Sequence, residues 1–273
     1  MALGTMKPVP GLETALQTED LKESCRIYNT LRDASKQQDI LDQHIHNLAA
    51  LFVKHGAEGI LGIHLVHSHF SLPENTAMLG ANYETPYSRW TRPIPIHTVD
   101  LSNVHGHIFV FSDHGFHPYE YQYGPRPDLS RVNSNFLADL AGYLKENKLS
   151  NLIGLQVIDQ TQASMIELVL PHATIMLKVS DVRGCKSSRQ TGWMFKTENG
   201  EPQVCQATET HGETGNGHVT YNKGKPHPKL NTFEDVKIAL EKEGVLYGIH
   251  VKAVYIPIAS LLSIMPQIPI VRC

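Results

Sequence analysis

Residues 152–179 read LIGLQVIDQTQASMIELVLPHATIMLKV, and this stretch decides the predicted fold. It contains three short apolar runs rich in β-branched residues, Leu152–Ile158, Met165–Leu170 and Thr174–Val179, separated by polar or proline-containing breaks. Such runs predict strands, and the connections are too short to hold a crossover helix. We therefore expect three consecutive short strands within a mostly antiparallel sheet.

The same pattern continues on both sides of this stretch. Downstream, Gly192–Thr197 and Gln203–Ala207 flank an Asn199-Gly200 pair, which predicts a hairpin with a tight turn. Upstream, Gly59–Phe70 (GILGIHLVHSHF) and Val104–Phe111 predict two further buried strands. Two segments rich in aromatic residues and proline, 83–97 and 114–127, are interpreted as loops.

Helical periodicity appears in four segments, each with a start or stop signal at one end. The predicted helices are Leu21–Leu31, Asp39–Lys54, Asn135–Glu146 and Thr232–Glu243. Because the helices flank a group of consecutive strands instead of alternating with them, we predict an α+β fold with a mostly antiparallel sheet flanked by helices. We expect a single domain, with residues 1–18 as a flexible leader, 19–252 as the catalytic domain, and 253–273 as an apolar, proline-rich tail packed on the body.

Composition excludes several classes of protein. The 273 residues carry 24 Lys and Arg against 27 Asp and Glu, so there is no basic excess for a nucleic-acid partner. Prolines interrupt the apolar stretch 253–271, which argues against a transmembrane segment. The four cysteines form no CxxC pair, which favours a reduced, cytoplasmic protein. The 16 histidines direct attention to a metal or acid–base site.

The first candidate site is a series of metal-binding side chains in the C-terminal third. Cys205, His211, His218 and His227 provide the thiolate and imidazoles that Zn²⁺ prefers, and glycines between them let the loop fold back. Glu209 is interleaved and is a candidate general base. The alternative is a surface loop whose histidines bind nothing, since the spacing matches no standard zinc-finger pattern.

The second candidate is the pair His67 and His69. Residues at i and i+2 of a strand share a face, so both could bind one metal or act as catalytic bases. Leu61, Ile63 and Leu65 would share that face, however, which favours buried, hydrogen-bonded histidines instead. His105 and His107 repeat the same spacing, with the same alternative. The chain has no HExxH helix, nucleophile elbow, Walker loop or dinucleotide-binding glycine motif.

The HxHF sequence at 67–70, followed by Glu74, resembles a motif of small filamentous-fungal proteins. Trp193, Phe195 and Cys205 resemble the C-terminal half of the same group. Over residues 20–250 the chain is similar to the cyclopenases, zinc-dependent enzymes of fungal quinolone-alkaloid pathways.

This resemblance implies a zinc-dependent lyase with a small aromatic heterocyclic substrate. The implied reaction contracts the seven-membered ring of cyclopenin, a benzodiazepinedione with an aryl epoxide, to the quinolone viridicatin with loss of methyl isocyanate. It does not imply which residues bind zinc. The residues themselves leave open a zinc hydrolase of an amide or ester, a non-catalytic metal-stabilised binding protein, and a homodimer.

Overall fold

A computed structural model describes residues 7–158, 163–214, 217–218 and 229–246. Ten strands of this part of the chain form a closed barrel. They are β1 (Leu61–Leu65), β2 (Thr76–Glu84), β3 (Tyr87–Pro95), β4 (Val104–Ser112), β5 (Gly115–Tyr123), β6 (Ile153–Val157), β7 (Met165–Leu170), β8 (Ala173–Lys178), β9 (Lys186–Glu198) and β10 (Glu201–Glu213). Around the barrel their order is β1, β6, β4, β5, β2, β3, β8, β7, β10, β9. The pairs β2–β5 and β7–β10 are parallel, and the other pairs are antiparallel.

The four helices confirm the helical periodicity of the sequence. They are α1 (Thr18–Thr30), α2 (Asp42–Lys54), α3 (Phe136–Glu146) and α4 (Phe233–Lys242). The predicted hairpin is also confirmed, since β9 and β10 meet at Asn199 and Gly200, which both have positive φ angles. Each predicted strand is present, although β1 ends at Leu65 and β9 and β10 are much longer than predicted.

The prediction of an α+β fold with an open sheet flanked by helices is wrong, because the strands close into a barrel. The error comes from the two segments interpreted as loops. Residues 83–97 contain all of β3, and residues 114–127 contain β5. A third strand, β2, was not predicted either. Proline is rare inside strands because it lacks an N–H donor. Here Pro118 faces Phe109 where the β4–β5 register shifts, so the ladder is already interrupted at that point.

The helices cover the outer face of the barrel. In β1, Leu61, Ile63 and Leu65 belong to a buried cluster that also contains Leu48 and Phe52 of α2. A second buried cluster joins alternate residues of β7 to α4. Burial of these apolar side chains against the helices is the main force that fixes strand register, because a shift of one residue would turn them inward.

The opposite strand faces point into the barrel, and several carry polar side chains. Since successive strand residues point to opposite faces, His64 of β1 and Glu167 of β7 face inward. In β3, Trp90 packs in the cluster with α4, which turns Arg89 inward. Arg89 is 5% exposed and Glu167 is 8% exposed, so the interior buries charged groups.

The two ends of the chain fall partly outside the described residues. Of the predicted flexible leader 1–18, residues 7–17 are described, and Val9 and Leu12 are buried in the main core cluster. These two residues pack against the core, and the flexibility of the leader stays a prediction. The predicted tail 253–273 lies outside the described residues. No helix of the described chain has the length and apolar character needed to cross a membrane.

Candidate metal centre

Four side chains that can bind a metal converge inside the barrel. They are His67, His69, Glu167 and His211, and one ligand atom of each lies within 4.8 Å of those of the other three. His67, Glu167 and His211 are buried, and His69 is partly exposed. Three imidazoles and one carboxylate form a donor set that could hold a metal ion.

Barrel closure brings these residues together from three parts of the sequence. Glu167 of β7 and His211 of β10 are direct register partners in the parallel β7–β10 pair. His67 and His69 follow the end of β1, whose neighbour in the barrel, β9, also pairs with β10. The two histidines therefore do not lie on a regular strand, and the sharing of a face with Leu61, Ile63 and Leu65 does not apply to them.

The distances fit a single ion. Nε2 of His67 is 3.2 Å from Nε2 of His69 and 3.1 Å from Nε2 of His211. Oε2 of Glu167 is 3.2 Å from Nε2 of His69, 3.3 Å from Nε2 of His211 and 3.8 Å from Nε2 of His67. Two ligand atoms on one zinc ion, each at 2.0–2.1 Å and separated by the tetrahedral angle, are roughly 3.3 Å apart.

A backbone carbonyl fixes the orientation of one of these imidazoles. Nδ1 of His67 donates a hydrogen bond of 2.6 Å to the carbonyl oxygen of Leu65. Because a carbonyl can only accept, the proton lies on Nδ1, and Nε2 directs its lone pair towards the other three residues. This arrangement, with one nitrogen donating to a carbonyl and the other free to bind, is usual for metal-binding histidines.

The charges of the cluster also suit a cation. Burial alone would raise the pKa of Glu167, but the surrounding imidazoles, His69 foremost, hold it well below its ordinary value. Burial lowers the pKa values of His69 and His211 in spite of the nearby carboxylate. Burial opposes the charged form of His67 as well, but Glu167 raises its pKa overall. The carboxylate of Glu167 beside the neutral forms of His69 and His211 suits a cation, and a bound metal would have to displace the proton that Glu167 favours on His67.

Among the described residues of the predicted ligand set, His211 is the member that belongs to the converging group. Cys205 lies six residues earlier on the same extended strand, and at about 3.3 Å per residue it is on the order of 20 Å along the chain from His211. The His218 ring stacks on that of His211, with centroids 4.1 Å apart, but His218 is not one of the four converging residues. His227 lies outside the described residues.

Glu209, the predicted general base, belongs to a second polar group in the barrel interior. Its carboxylate accepts hydrogen bonds from Gln156 at 2.8 Å and Arg89 at 3.3 Å, and Nε2 of His64 is 3.7 Å away. These partners hold the carboxylate in place. The ring of His64 stacks on that of His67, with centroids 5.3 Å apart, so this group borders the metal centre.

The sequence offered His67 and His69 either as ligands of one metal or as catalytic bases, and it did not single out Glu167. The available signal was a single acidic residue inside the apolar run MIELVL, and His64 inside LGIHL is a similar case. Neither could be assigned to a barrel interior before closure of the sheet was known.

Comparison with protein-family models, with curated proteins and with solved structures found no match to this chain.

Proposed function

We propose that this protein is a zinc-dependent lyase that contracts the ring of a neutral aromatic heterocycle of the cyclopenin type. The observation that supports the proposal is the convergence of three imidazoles and one carboxylate inside the barrel. The sequence resemblance to cyclopenases supplies the reaction. The proposed zinc ligands are His67, His69, Glu167 and His211, in place of the set that includes Cys205.

The donor set agrees with zinc. His₃ and His₂Glu are both established ligand combinations for catalytic zinc, and zinc accepts a fifth ligand during reaction. When bound, zinc supplies Lewis acidity towards a carbonyl or epoxide oxygen. The four proposed ligands come from β7, from β10 and from the segment after β1, so three separate parts of the chain position them. The His67 imidazole is further held by its hydrogen bond to Leu65.

The proposed reaction needs no external oxidant, reductant or water. Cyclopenin gives viridicatin and methyl isocyanate, which together contain all of its atoms. The interior side chains would orient the substrate and keep bulk water from the reacting carbons. Glu209, held by Arg89 and Gln156, would fix the second polar group next to the centre and is proposed as a positioning residue instead of a base.

The deciding experiment incubates the zinc-loaded protein with cyclopenin in H₂¹⁸O and follows viridicatin by chromatography and mass spectrometry. We expect viridicatin without ¹⁸O, and loss of turnover in Glu167→Gln. The matched control is His44→Phe, which alters a histidine that hydrogen-bonds Tyr143 between α2 and α3. Products that incorporate ¹⁸O would indicate a zinc hydrolase. Absence of any turnover by zinc-loaded protein would refute the proposed activity.

A further inference from the structure

A β-bulge in β4 redirects the side chain of His107. Gly106 pairs with Tyr121 and Ile108 pairs with Glu120, so His107 has no register partner on β5. Phe109, two residues further on, packs in the outer core. Without a bulge, His107 would share that outer face. Bulges of this kind re-aim side chains and are frequent beside active sites.

The His107 ring lies among the inward-facing polar groups. The side chains that act on it electrostatically are Arg89, His105 and His64. His107 is 1% exposed, and neither of its ring nitrogens has a hydrogen-bond partner among the described residues. A buried polar atom without a partner costs about 1–3 kcal/mol, so two on one ring indicate a site that is completed by a bound molecule.

His64 offers a further unpartnered nitrogen in the same region. It is 4% exposed, and its Nδ1 has no hydrogen-bond partner within the described part of the chain. The carboxylate of Glu209 beside Nε2 favours the tautomer with the proton on Nε2. Nδ1 of His64 is then an acceptor. A neutral His107 has one donor and one acceptor to offer.

Two of the buried charges in this region are paired with each other. Arg89 faces the Glu209 carboxylate at 3.3 Å, which leaves no net charge in this pair to neutralise a charged ligand. Burial and, next, Arg89 lower the pKa of His107 well below that of an ordinary imidazole. Neutral hydrogen-bonding groups next to a compensated ion pair suit an uncharged ligand.

We infer that the barrel interior next to the metal centre binds the amide edge of an uncharged lactam, with His107 donating to its carbonyl oxygen and His64 accepting from its N–H. The inference rests on the proposed function, for which it gives the recognition group of the substrate. His107 and His64 are binding residues in this assignment. The assignment matches one donor and one acceptor of the protein to the ring C=O and N–H of a lactam.

The experiment measures binding of 2-quinolone, a neutral bicyclic lactam, to the zinc-loaded full chain by isothermal titration calorimetry. N-methyl-2-quinolone has the same rings without the N–H donor. We expect the wild-type protein to bind 2-quinolone about tenfold more tightly than the N-methyl compound, because one net hydrogen bond is at stake. His107→Leu should weaken 2-quinolone binding about tenfold, while His44→Leu, outside the barrel, should leave it unchanged.

His107→Gln keeps a donor and an acceptor and should bind within about threefold of wild type, which preserves the test if the Leu variant does not fold. Without ligand, His107→Leu should unfold at the same or a higher urea concentration than wild type, since it removes two unpartnered nitrogens. The inference is refuted by equal affinity of wild type and His107→Leu, by equal affinity for the two probes, or by no binding of 2-quinolone to wild type.

Repeating the titration after zinc removal separates this inference from the proposed function. Binding that depends on His107 in zinc-free protein, together with no turnover of cyclopenin by zinc-loaded protein, would refute only the proposed reaction. Turnover of cyclopenin that His107→Leu leaves unchanged in both KM and kcat would refute only the role of His107.

Discussion

Replacement of Glu167 by glutamine tests the metal centre most directly. The substitution keeps the shape of the side chain and removes the only carboxylate among the four converging residues. Mutation of a residue that only hydrogen-bonds a metal ligand already reduces metal affinity about 10–100-fold. Because Glu167 provides a ligand atom and the only negative charge of the set, we expect zinc affinity to fall at least 100-fold.

The fall in affinity has a measurable effect on stability. At a free zinc concentration 1,000 times the dissociation constant, binding stabilises the folded state by about 4.1 kcal/mol. A 100-fold weaker site at the same zinc concentration gives only about 1.4 kcal/mol. For a chain of this size the difference of roughly 2.7 kcal/mol corresponds to a zinc-dependent rise in Tm that is about 5–11 °C smaller than in wild type.

The matched control is Glu209→Gln. It removes a carboxylate from the neighbouring interior group, two residues before His211, without changing the four converging residues. The assay combines competitive chelator titration with thermal unfolding in the presence of zinc and of EDTA. Wild-type zinc affinity in Glu167→Gln, or an equal loss in both variants, would refute the ligand assignment.

Three further predictions concern single side chains. Cys205→Ala should retain full zinc stoichiometry by metal analysis, because the strand places Cys205 away from His211; loss of the metal would restore the ligand set predicted from sequence. Burial and, next, the Glu167 carboxylate raise the pKa of Glu120 from 4.5 to about 7. The contribution of neutral Glu120 to the free energy of unfolding is therefore fully present below pH 4.5 and is lost as the pH rises through 7. In chelator-treated protein, urea denaturation should therefore give Glu120→Gln a free energy of unfolding that is higher than that of wild type by roughly 1–3 kcal/mol at pH 8, and equal to it near pH 4.5. A constant difference across this pH range would contradict the assignment. Phe52 is fully buried, with its ring centroid 4.9 Å from that of Phe136 and 4.8 Å from that of Phe195, so Phe52→Ala should lower the free energy of unfolding by about 3–5 kcal/mol, and a loss under 1 kcal/mol would show that this contact is not a core contact.

The sequence predicted local elements well because the forces that set them are local. Helical periodicity and capping signals located all four helices, and the Asn199-Gly200 pair located the β9–β10 hairpin. Closure of the sheet is a property of distant pairings, such as β1 with β9 and β3 with β8, which no short window contains. Missing β2, β3 and β5 therefore turned a barrel into an open sheet.

The same distinction explains the candidate site. Histidine content and the spacing of His67 and His69 pointed to a metal, and His211 was selected for the chemistry of its side chain. The set was completed with Cys205 because that residue is near His211 in sequence, although an extended strand separates residues six positions apart. Glu167 is 44 residues from His211 in sequence and its direct partner across the β7–β10 pair.

A polar interior under an apolar outer face links the fold to the proposed chemistry. In strands β1 and β7 the apolar residues that face the helices hold the barrel together, so the inward positions do not have to contribute apolar burial. Those positions can therefore carry His64 and Glu167, whose burial would be unfavourable in a packed core. Burial of such groups costs stability, and pairing with each other, with a metal or with a ligand offsets part of that cost. The two unpartnered nitrogens of His107 lie among these inward-facing groups of the described chain, and we assign a bound molecule to them.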